Sequence, residues 1–396
     1  MSDKDLLIVG AGLGAFRVAE QLRRRGYCAK ITILGAEPHR PYDRPPLSKG
    51  MLRGEIQSSE FPGTDELDVD WVLGSRAVSL DIGGNCVVAD DGKSYGYSML
   101  VLAPGGRART LPHLGAGPGL HVLRTIEDAI ALRASIQPDR RLIIIGAGFI
   151  GCEIAASARQ MGASVDLVEA LPAPLARVLG TQAGSKVSAL HKHHGVRLHM
   201  GEMVAEILRN HEGVLSGVGF KNGTKIEGSD VVIGVGMVPE IEWLAGSGIA
   251  LQDGIVCDSG GRTNVPNVFA LGDAAQWWHE LASENRRVEH WTTTTDQAAA
   301  IAANIAQDPA DPPVRLTAAP YFWSDQYDTK IQGIGFIDPS DEIDELTIRG
   351  RSVLLYSREG VVRGVVGFSI PGAVMRTKSL IERRAPVREA IELLAA

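Results

Sequence analysis

The sequence predicts an α/β protein built on two copies of one strand–turn–helix–strand unit. Three observations carry that prediction. The run Leu6-Leu7-Ile8-Val9-Gly10-Ala11-Gly12 recurs as Leu142-Ile143-Ile144-Ile145-Gly146-Ala147-Gly148. Each apolar run ends in a glycine-rich turn and is followed by a helix-like stretch, 15–25 and 152–161. Each of these leads to a second apolar run, 31–34 and 165–168, with a carboxylate at or just beyond its end, Glu37 and Glu169. Short, continuous apolar runs alternating with helices are what a parallel sheet covered on both faces requires.

The turns carry the chemistry. Gly10-Ala11-Gly12-Leu13-Gly14-Ala15 fits G-x-G-x-x-G/A with Ala15 in third place, and Gly146-Ala147-Gly148-Phe149-Ile150-Gly151 fits it in full. The first glycine permits the tight turn, the second lets the backbone approach a pyrophosphate, and the small third residue lets helix and strand pack closely. The helix that follows turns its free N–H groups and partial positive charge toward the phosphates. Glu37 and Glu169 stand where a carboxylate accepts hydrogen bonds from ribose hydroxyls. A carboxylate at Glu169 favours a 2′-hydroxyl over a 2′-phosphate, so NADH is expected over NADPH, with Arg177 softening the preference. One such turn alone is also compatible with a ligand-free connection. Two copies, each with its acid, point to two Rossmann-like dinucleotide-binding domains.

A third element extends the reading. In 262–273, Thr263, a short strand and Gly272-Asp273 resemble the second flavin-binding motif of flavoproteins with two dinucleotide domains, where the aspartate accepts from the ribityl chain. FAD and NAD(H) are therefore the expected cofactors. Elsewhere, 71–102 alternates and carries turn signals, and is read as hairpins returning to a strand at 100–102. The segment 197–235 is read the same way. The Asp- and Pro-rich 307–313 is a boundary candidate, followed by short strands at 353–356 and 361–368 and a final helix near 387–394.

Composition bounds the rest. At about 100–200 residues per domain, 396 residues allow two to four domains. With 44% hydrophobic and 22% charged residues the chain is of ordinary globular type, not disordered or coiled coil. A net charge of −7 argues against a nucleic-acid binder. None of the four cysteines forms a C-x-x-C pair, so zinc ribbons and dithiol redox motifs have no support. There is no apolar signal region and no run approaching the ~18 apolar residues of a membrane span, and a reduced, cytoplasmic chain is expected.

Four further segments are informative together: Pro41-Tyr42-Asp43-Arg44-Pro45-Pro46-Leu47-Ser48-Lys49, then Phe149-Ile150-Gly151-Cys152-Glu153, Glu289-His290-Trp291, and Pro320-Tyr321-Phe322-Trp323-Ser324-Asp325-Gln326-Tyr327-Asp328. With the turns, they resemble the oxygenase-coupled NADH-dependent ferredoxin reductases, the putidaredoxin reductase-like group, over essentially the whole chain. The resemblance implies a glutathione-reductase-like arrangement: an FAD domain in two segments (1–108 and 236–313), an NAD domain between them (109–235) and a C-terminal α+β domain (314–396). It implies that Gly10, Gly12, Ala15, Glu37, Arg44, Pro45, Lys49, Val78, Ala103, Arg124, Gly272 and Asp273 contact FAD. It also implies that Glu289, His290 and Trp291 lie along the isoalloxazine. Gly146, Gly148, Phe149, Ile150, Gly151, Glu169, Arg177 and Gly236 fall to NAD(H). Lys49 and Glu153 are implied as an ion pair beside flavin N5, the catalytic pair, where a lysine stabilises an anionic flavin. The chain departs from the family pattern at Pro104, where the strand end usually reads A-T-G, and at Glu240, where an Asn is usual.

The activity so implied is transfer of hydride from NADH to FAD and of single electrons to a [2Fe–2S] ferredoxin serving a cytochrome P450 or a Rieske oxygenase. No iron–sulfur ligand set or metal site exists in the chain itself, so the cluster belongs to the partner, and a monomer or weak dimer suffices. A rubredoxin reductase or NADH oxidase of the same fold, and an apoptosis-inducing-factor-like interaction protein, remain alternatives. The disulfide-reductase branch is disfavoured, because no C-x4-C follows the first helix. Arg286, Arg287, Arg376, Lys378, Arg383 and Arg384, with Arg388, form a possible basic face for an acidic ferredoxin. His191-Lys192-His193-His194 reads as a polar helix end rather than a metal site, Cys152 as a packing residue, and Trp277-Trp278 as loop packing or a neighbour of the flavin edge.

Overall fold

The fold is described from a computed structural model over residues 4–308 and 310–395. Residues 1–3 of the charged start, Pro309 of the proposed linker and Ala396 lie outside the described residues. The chain divides into two compact units. One holds the chain up to Asp43, Ser59–Arg107 and Pro239–Phe322; the other holds Arg44–Ser58, Ala108–Val238 and the chain from Trp323 onward.

The first unit is organised by a parallel sheet in the order Val268–Ala270, Met99–Leu102, Leu6–Val9, Ile31–Gly35, Asp70–Leu73. Leu6–Val9 is central and buried on both faces, which is why it is apolar at every position. Parallel neighbours need a crossover, and the helix Leu13–Arg24 supplies it, burying Ala15, Phe16, Val18, Ala19 and Leu22. Leu22 is fully buried, so truncating it to Ala is expected to cost about 2–5 kcal/mol. The same helix packs against Trp291–Ala306. The stretch read as hairpins is more divided than its alternation implied. Asp70–Leu73 joins the main sheet as a parallel edge, and only Ala77–Asp81, Cys86–Ala89 and Ser94–Gly96 form an antiparallel meander. Ile255–Cys257, Ala275–His279 and Glu284–Arg287 make a further small sheet.

The second unit repeats the plan with Arg197–Met200, Ser164–Glu169, Arg141–Ile145, Asp230–Ile233 and Leu120–His121, again all parallel. Phe149–Gln160 is its crossover helix. Val204–Arg209, Leu215–Phe220 and Lys225–Glu227 form a meander beside it. The C-terminal part, in the same unit from Trp323 onward, is an antiparallel sheet ordered Tyr321–Gln326, Thr329–Gly335, Val361–Phe368, Arg351–Arg358, Glu342–Ile348, followed by short helices and Val387–Ala395. The helix Ala176–His193 docks on that sheet: Tyr356 donates to the Leu179 carbonyl at 2.8 Å, and Lys186 pairs with Glu345. Among the described residues no helix is long and apolar enough to cross a membrane.

Candidate functional site

Both glycine turns sit at the carboxyl end of a central parallel strand, where open α/β sheets bind ligands. Gly10 has φ +103°, and a Cβ there would lie 2.0 Å from the Ala103 carbonyl oxygen. Gly146 has φ +101°, and its Cβ would lie 2.4 Å from the Gly234 carbonyl. Both positions demand glycine on conformation and on space. Gly12 and Gly148 are the opposite case, since a Cβ on either would meet nothing within 4 Å. Each is the N-cap of its helix with no side-chain cap, so the first N–H groups face an open cradle. Ala15 is fully buried against the sheet. At Gly151 a Cβ would sit 2.0 Å from the Gly146 carbonyl, so only glycine fits there.

The two acids are held differently. Glu37 accepts from the Tyr42 hydroxyl at 2.6 Å. Glu169 accepts from the backbone N–H of Ala147 at 2.8 Å and of Leu171 at 3.0 Å, which ties it to its own turn. Phe149 opens the second helix, and Ile150 is 45% exposed at the turn. Arg177 is exposed near the start of Ala176–His193. Gly236 has φ +98° and open space where a Cβ would be. Val78 is 43% exposed on its strand.

Around Asp273 the first unit is polar yet closed. Asp273 lies in the Gly272–Ala274 turn, and Gly272 donates its N–H to Gln297 at 2.9 Å. Trp291 begins the long helix and donates from Nε1 to Asp43 at 2.8 Å. Glu289 accepts from Arg287. His290 is half-buried with its Nδ1 shielded from solvent; burial holds its imidazole down at about 4, although the negative Asp273 pulls the other way. Its Nδ1 and the buried Thr293 hydroxyl have no hydrogen-bond partner. Orphaned buried polar atoms are costly. Beside an open glycine cradle and two acids, they fit a bound flavin dinucleotide that satisfies them.

In the second unit Lys49 and Glu153 meet. Lys49 Nζ lies 2.6 Å from Glu153 Oε2, with the side chains 15% and 4% exposed. Lys49 also donates to the Pro45 carbonyl at 3.2 Å. Glu153 accepts from Ser48 at 2.6 Å and from Ser324 at 2.7 Å. A carboxylate this buried is held by being paired and hydrogen-bonded on both oxygens. Arg44 donates to the Arg124 carbonyl, and Arg124 starts the turn capped by Thr125 and Asp128.

Three sequence expectations need correction. Arg287 does not belong on a docking surface: its side chain is 12% exposed and is committed to Asp253, Glu289 and the Asp273 carbonyl. Trp277 is not a loop residue; it is buried in Ala275–His279 and donates to the Ala270 carbonyl at 2.8 Å. His191 does lie in the last turn of the Ala176–His193 helix, but that end is not wholly polar-faced: His191 is fully buried and bonded to Gln326 and Tyr327. Its place depends on a contact with a distant strand, which helix periodicity does not reveal. Arg286, Lys378 and Arg383 are exposed but paired with Glu284, Glu382 and Glu389. Cys152 is fully buried, and burial pushes its thiol up, which removes it as a nucleophile.

Comparison with known proteins agrees with this geometry. Rhodocoxin reductase of Rhodococcus erythropolis is 35% identical over 342 residues, 85% of this chain and 79% of that protein. A ferredoxin–NAD(P)(+) reductase of Sphingomonas sp. is 33% identical over 395 residues, 96% of this chain and 93% of that one. The crystal structure of the covalent putidaredoxin reductase–putidaredoxin complex matches with a TM-score of 0.92 and 28% identity, covering 100% of both chains. Residues 321–393 match the reductase C-terminal family and residues 4–298 the larger model, so the chain belongs to the pyridine nucleotide-disulphide oxidoreductase family.

Proposed function

We propose that this protein is an FAD-dependent NADH:ferredoxin reductase that delivers electrons to a [2Fe–2S] ferredoxin serving a cytochrome P450 or a Rieske oxygenase. The observation that carries the reading is the pair of open glycine turns, one in each parallel sheet and each with its acid. Two such turns call for two dinucleotides, and the named relatives are reductases of that kind. We assign 1–108 and 236–313 to FAD binding, 109–235 to NAD binding, and 314–396 to the C-terminal domain. A cytoplasmic location accords with four free cysteines, and a monomer suffices for the chemistry.

FAD, when bound, would supply the conversion of a hydride's two electrons into the single electrons that an iron–sulfur cluster takes. The protein binds and orients. Gly10, Gly12 and the Leu13–Arg24 helix start receive the FAD pyrophosphate, and Ala15 lets that helix approach the sheet. Glu37 takes the adenosine ribose and Asp273 the ribityl chain. Arg44, Pro45, Val78, Ala103, Arg124, Gly272, Glu289, His290 and Trp291 complete the contacts. Gly146, Gly148, Phe149, Ile150, Gly151 and Gly236 line the NADH site. Glu169 there discriminates against a 2′-phosphate, with Arg177 near it in sequence. Lys49, held by Glu153, would supply the positive charge that stabilises an anionic flavin.

The test is NADH-dependent cytochrome c reduction with and without added [2Fe–2S] ferredoxin. Strong stimulation by ferredoxin is expected; rapid NADH consumption with oxygen alone, unstimulated, would contradict the reading. For docking, Arg376, Lys378, Arg383, Arg384 and Arg286 are the proposed basic face. Replacing Arg376 and Lys378 by Ala should raise the ferredoxin KM about threefold at low salt and little at high salt. An unchanged KM at low salt would remove both from the face.

A further inference from the structure

Glu153 is the end of a longer polar chain. Its Oε2 faces Lys49 and Ser48, and its Oε1 accepts from Ser324. Ser324 Oγ lies 3.2 Å from Gln326 Nε2, and Gln326 Oε1 lies 3.1 Å from His191 Nε2. His191 Nδ1 lies 3.0 Å from the Tyr327 hydroxyl. Ser324, Gln326 and His191 are each completely buried.

The direction of every bond follows from donor counting. A carboxylate paired with an ammonium only accepts, so the single Ser324 proton goes to Glu153. Ser324 must then accept, which turns the Gln326 amide nitrogen toward it and leaves Oε1 to accept from His191. The imidazole proton therefore sits on Nε2, and Nδ1 accepts from Tyr327. Every donor points toward Glu153, and bonds aligned in one sense polarise one another. Burial holds His191 down at about 4, so the ring is neutral, as this order requires.

The outer end of the chain is also fixed. Tyr327 has φ +57° as the first residue of the two-residue turn between Tyr321–Gln326 and Thr329–Gly335, the left-handed conformation that such a turn uses. Its ring stacks on His194, with centroids 3.6 Å apart and planes 5° from parallel. The tight turn and the ring stack together fix the hydroxyl beside His191.

We propose that Tyr327, His191, Gln326 and Ser324 form a one-way hydrogen-bond chain that holds Glu153 in register with Lys49, which makes His191 a positioning residue for hydride transfer. The proposal rests on the role given above to Lys49 and Glu153 at flavin N5. It links the Ala176–His193 helix to the C-terminal sheet through neutral hydrogen bonds that end on the one charged pair.

The test uses flavin-loaded protein and three readouts: flavin reduction by NADH in anaerobic stopped flow, the flavin midpoint potential, and the NAD+ dissociation constant. Ser324→Ala should slow flavin reduction about tenfold and shift the potential. His191→Phe should slow it about threefold, with the NAD+ dissociation constant unchanged. In the double variant the His191 effect should vanish, because the chain is already cut at Ser324. Tyr327→Phe keeps the ring stack and removes only the donor, and should act in the same non-additive way should His191→Phe fail to fold. Effects that multiply in full, or an unchanged rate and potential in both outer variants, would overturn the chain. Glu153→Gln with unchanged rate and potential would instead overturn the role of the ion pair itself, and the chain with it.

Discussion

The two glycine turns share an opening and differ in how they close. At Gly10 and Gly146 the constraint is the same: φ is near +100° and a carbonyl crosses where a side chain would begin. At the third small position the turns part. The first unit carries Ala15, buried without a clash, whereas the second must have Gly151, because the helix there passes closer to its own turn. The acids part as well: Glu37 is steadied by a tyrosine hydroxyl, Glu169 by two backbone N–H groups. A repeated motif therefore repeats its backbone requirement and leaves its side-chain closure free to specialise.

The sharpest way to break this comparison is to put one methyl group into each turn. Gly10→Ala should yield protein with little or no flavin, read from the visible absorbance of the purified sample. Gly146→Ala should keep the flavin and raise the NADH KM more than about tenfold, since strain and overlap fall on the second site alone. The reverse change is mild: Ala15→Gly should cost about 1 kcal/mol in a denaturant titration, whereas Gly151→Ala should behave like Gly146→Ala. Equal flavin loss in both turns would end the assignment of separate cofactors.

A smaller effect distinguishes the acids. Glu169→Ala should raise the ratio of NADPH to NADH specificity about tenfold, by removing a charge that repels the 2′-phosphate. Glu37→Ala should leave that ratio unchanged and weaken flavin retention instead. Kinetics with the two nucleotides, beside flavin content, separate the outcomes.

An effect on stability rather than on cofactor use lies toward the far end of the strands. In register, Thr32 of the first sheet corresponds to Asp166 of the second, opposite Leu7 and Ile143. Burial alone would raise the Asp166 carboxyl, but hydrogen bonds from His199 and Arg197 and the charges of Arg197 and Arg141 outweigh it and hold it at about 2, below its ordinary 3.8. A depressed folded-state value means stability present above about pH 4 and lost as the pH falls toward 2, of order 2 kcal/mol. Asp166→Asn should flatten acid unfolding in that window, whereas Thr32→Ala should leave its pH dependence intact.

What the sequence made legible was local. The glycines, the apolar runs and the acids lie within one strand–turn–helix–strand stretch, where short spacing dictates geometry. The pairing of Lys49 with Glu153 joins residues far apart in sequence, and only the family resemblance pointed to it. The burial of His191 and the strand position of Trp277 were not legible for the same reason. Each is placed by a partner that no local pattern names, Gln326 and Tyr327 for the first and the Ala270 carbonyl for the second. Arg287 was misread because a basic side chain is assumed to be solvated until an acidic neighbour such as Asp253 is seen beside it.

The most direct measurement is an anaerobic titration of the purified protein. NADH is added until the flavin absorbance is bleached, and oxidised [2Fe–2S] ferredoxin is then supplied. The account predicts rapid bleaching by NADH and return of the oxidised flavin band as two ferredoxins are reduced for each hydride taken up. Flavin that bleaches but returns its electrons only to oxygen, leaving ferredoxin oxidised, would contradict it.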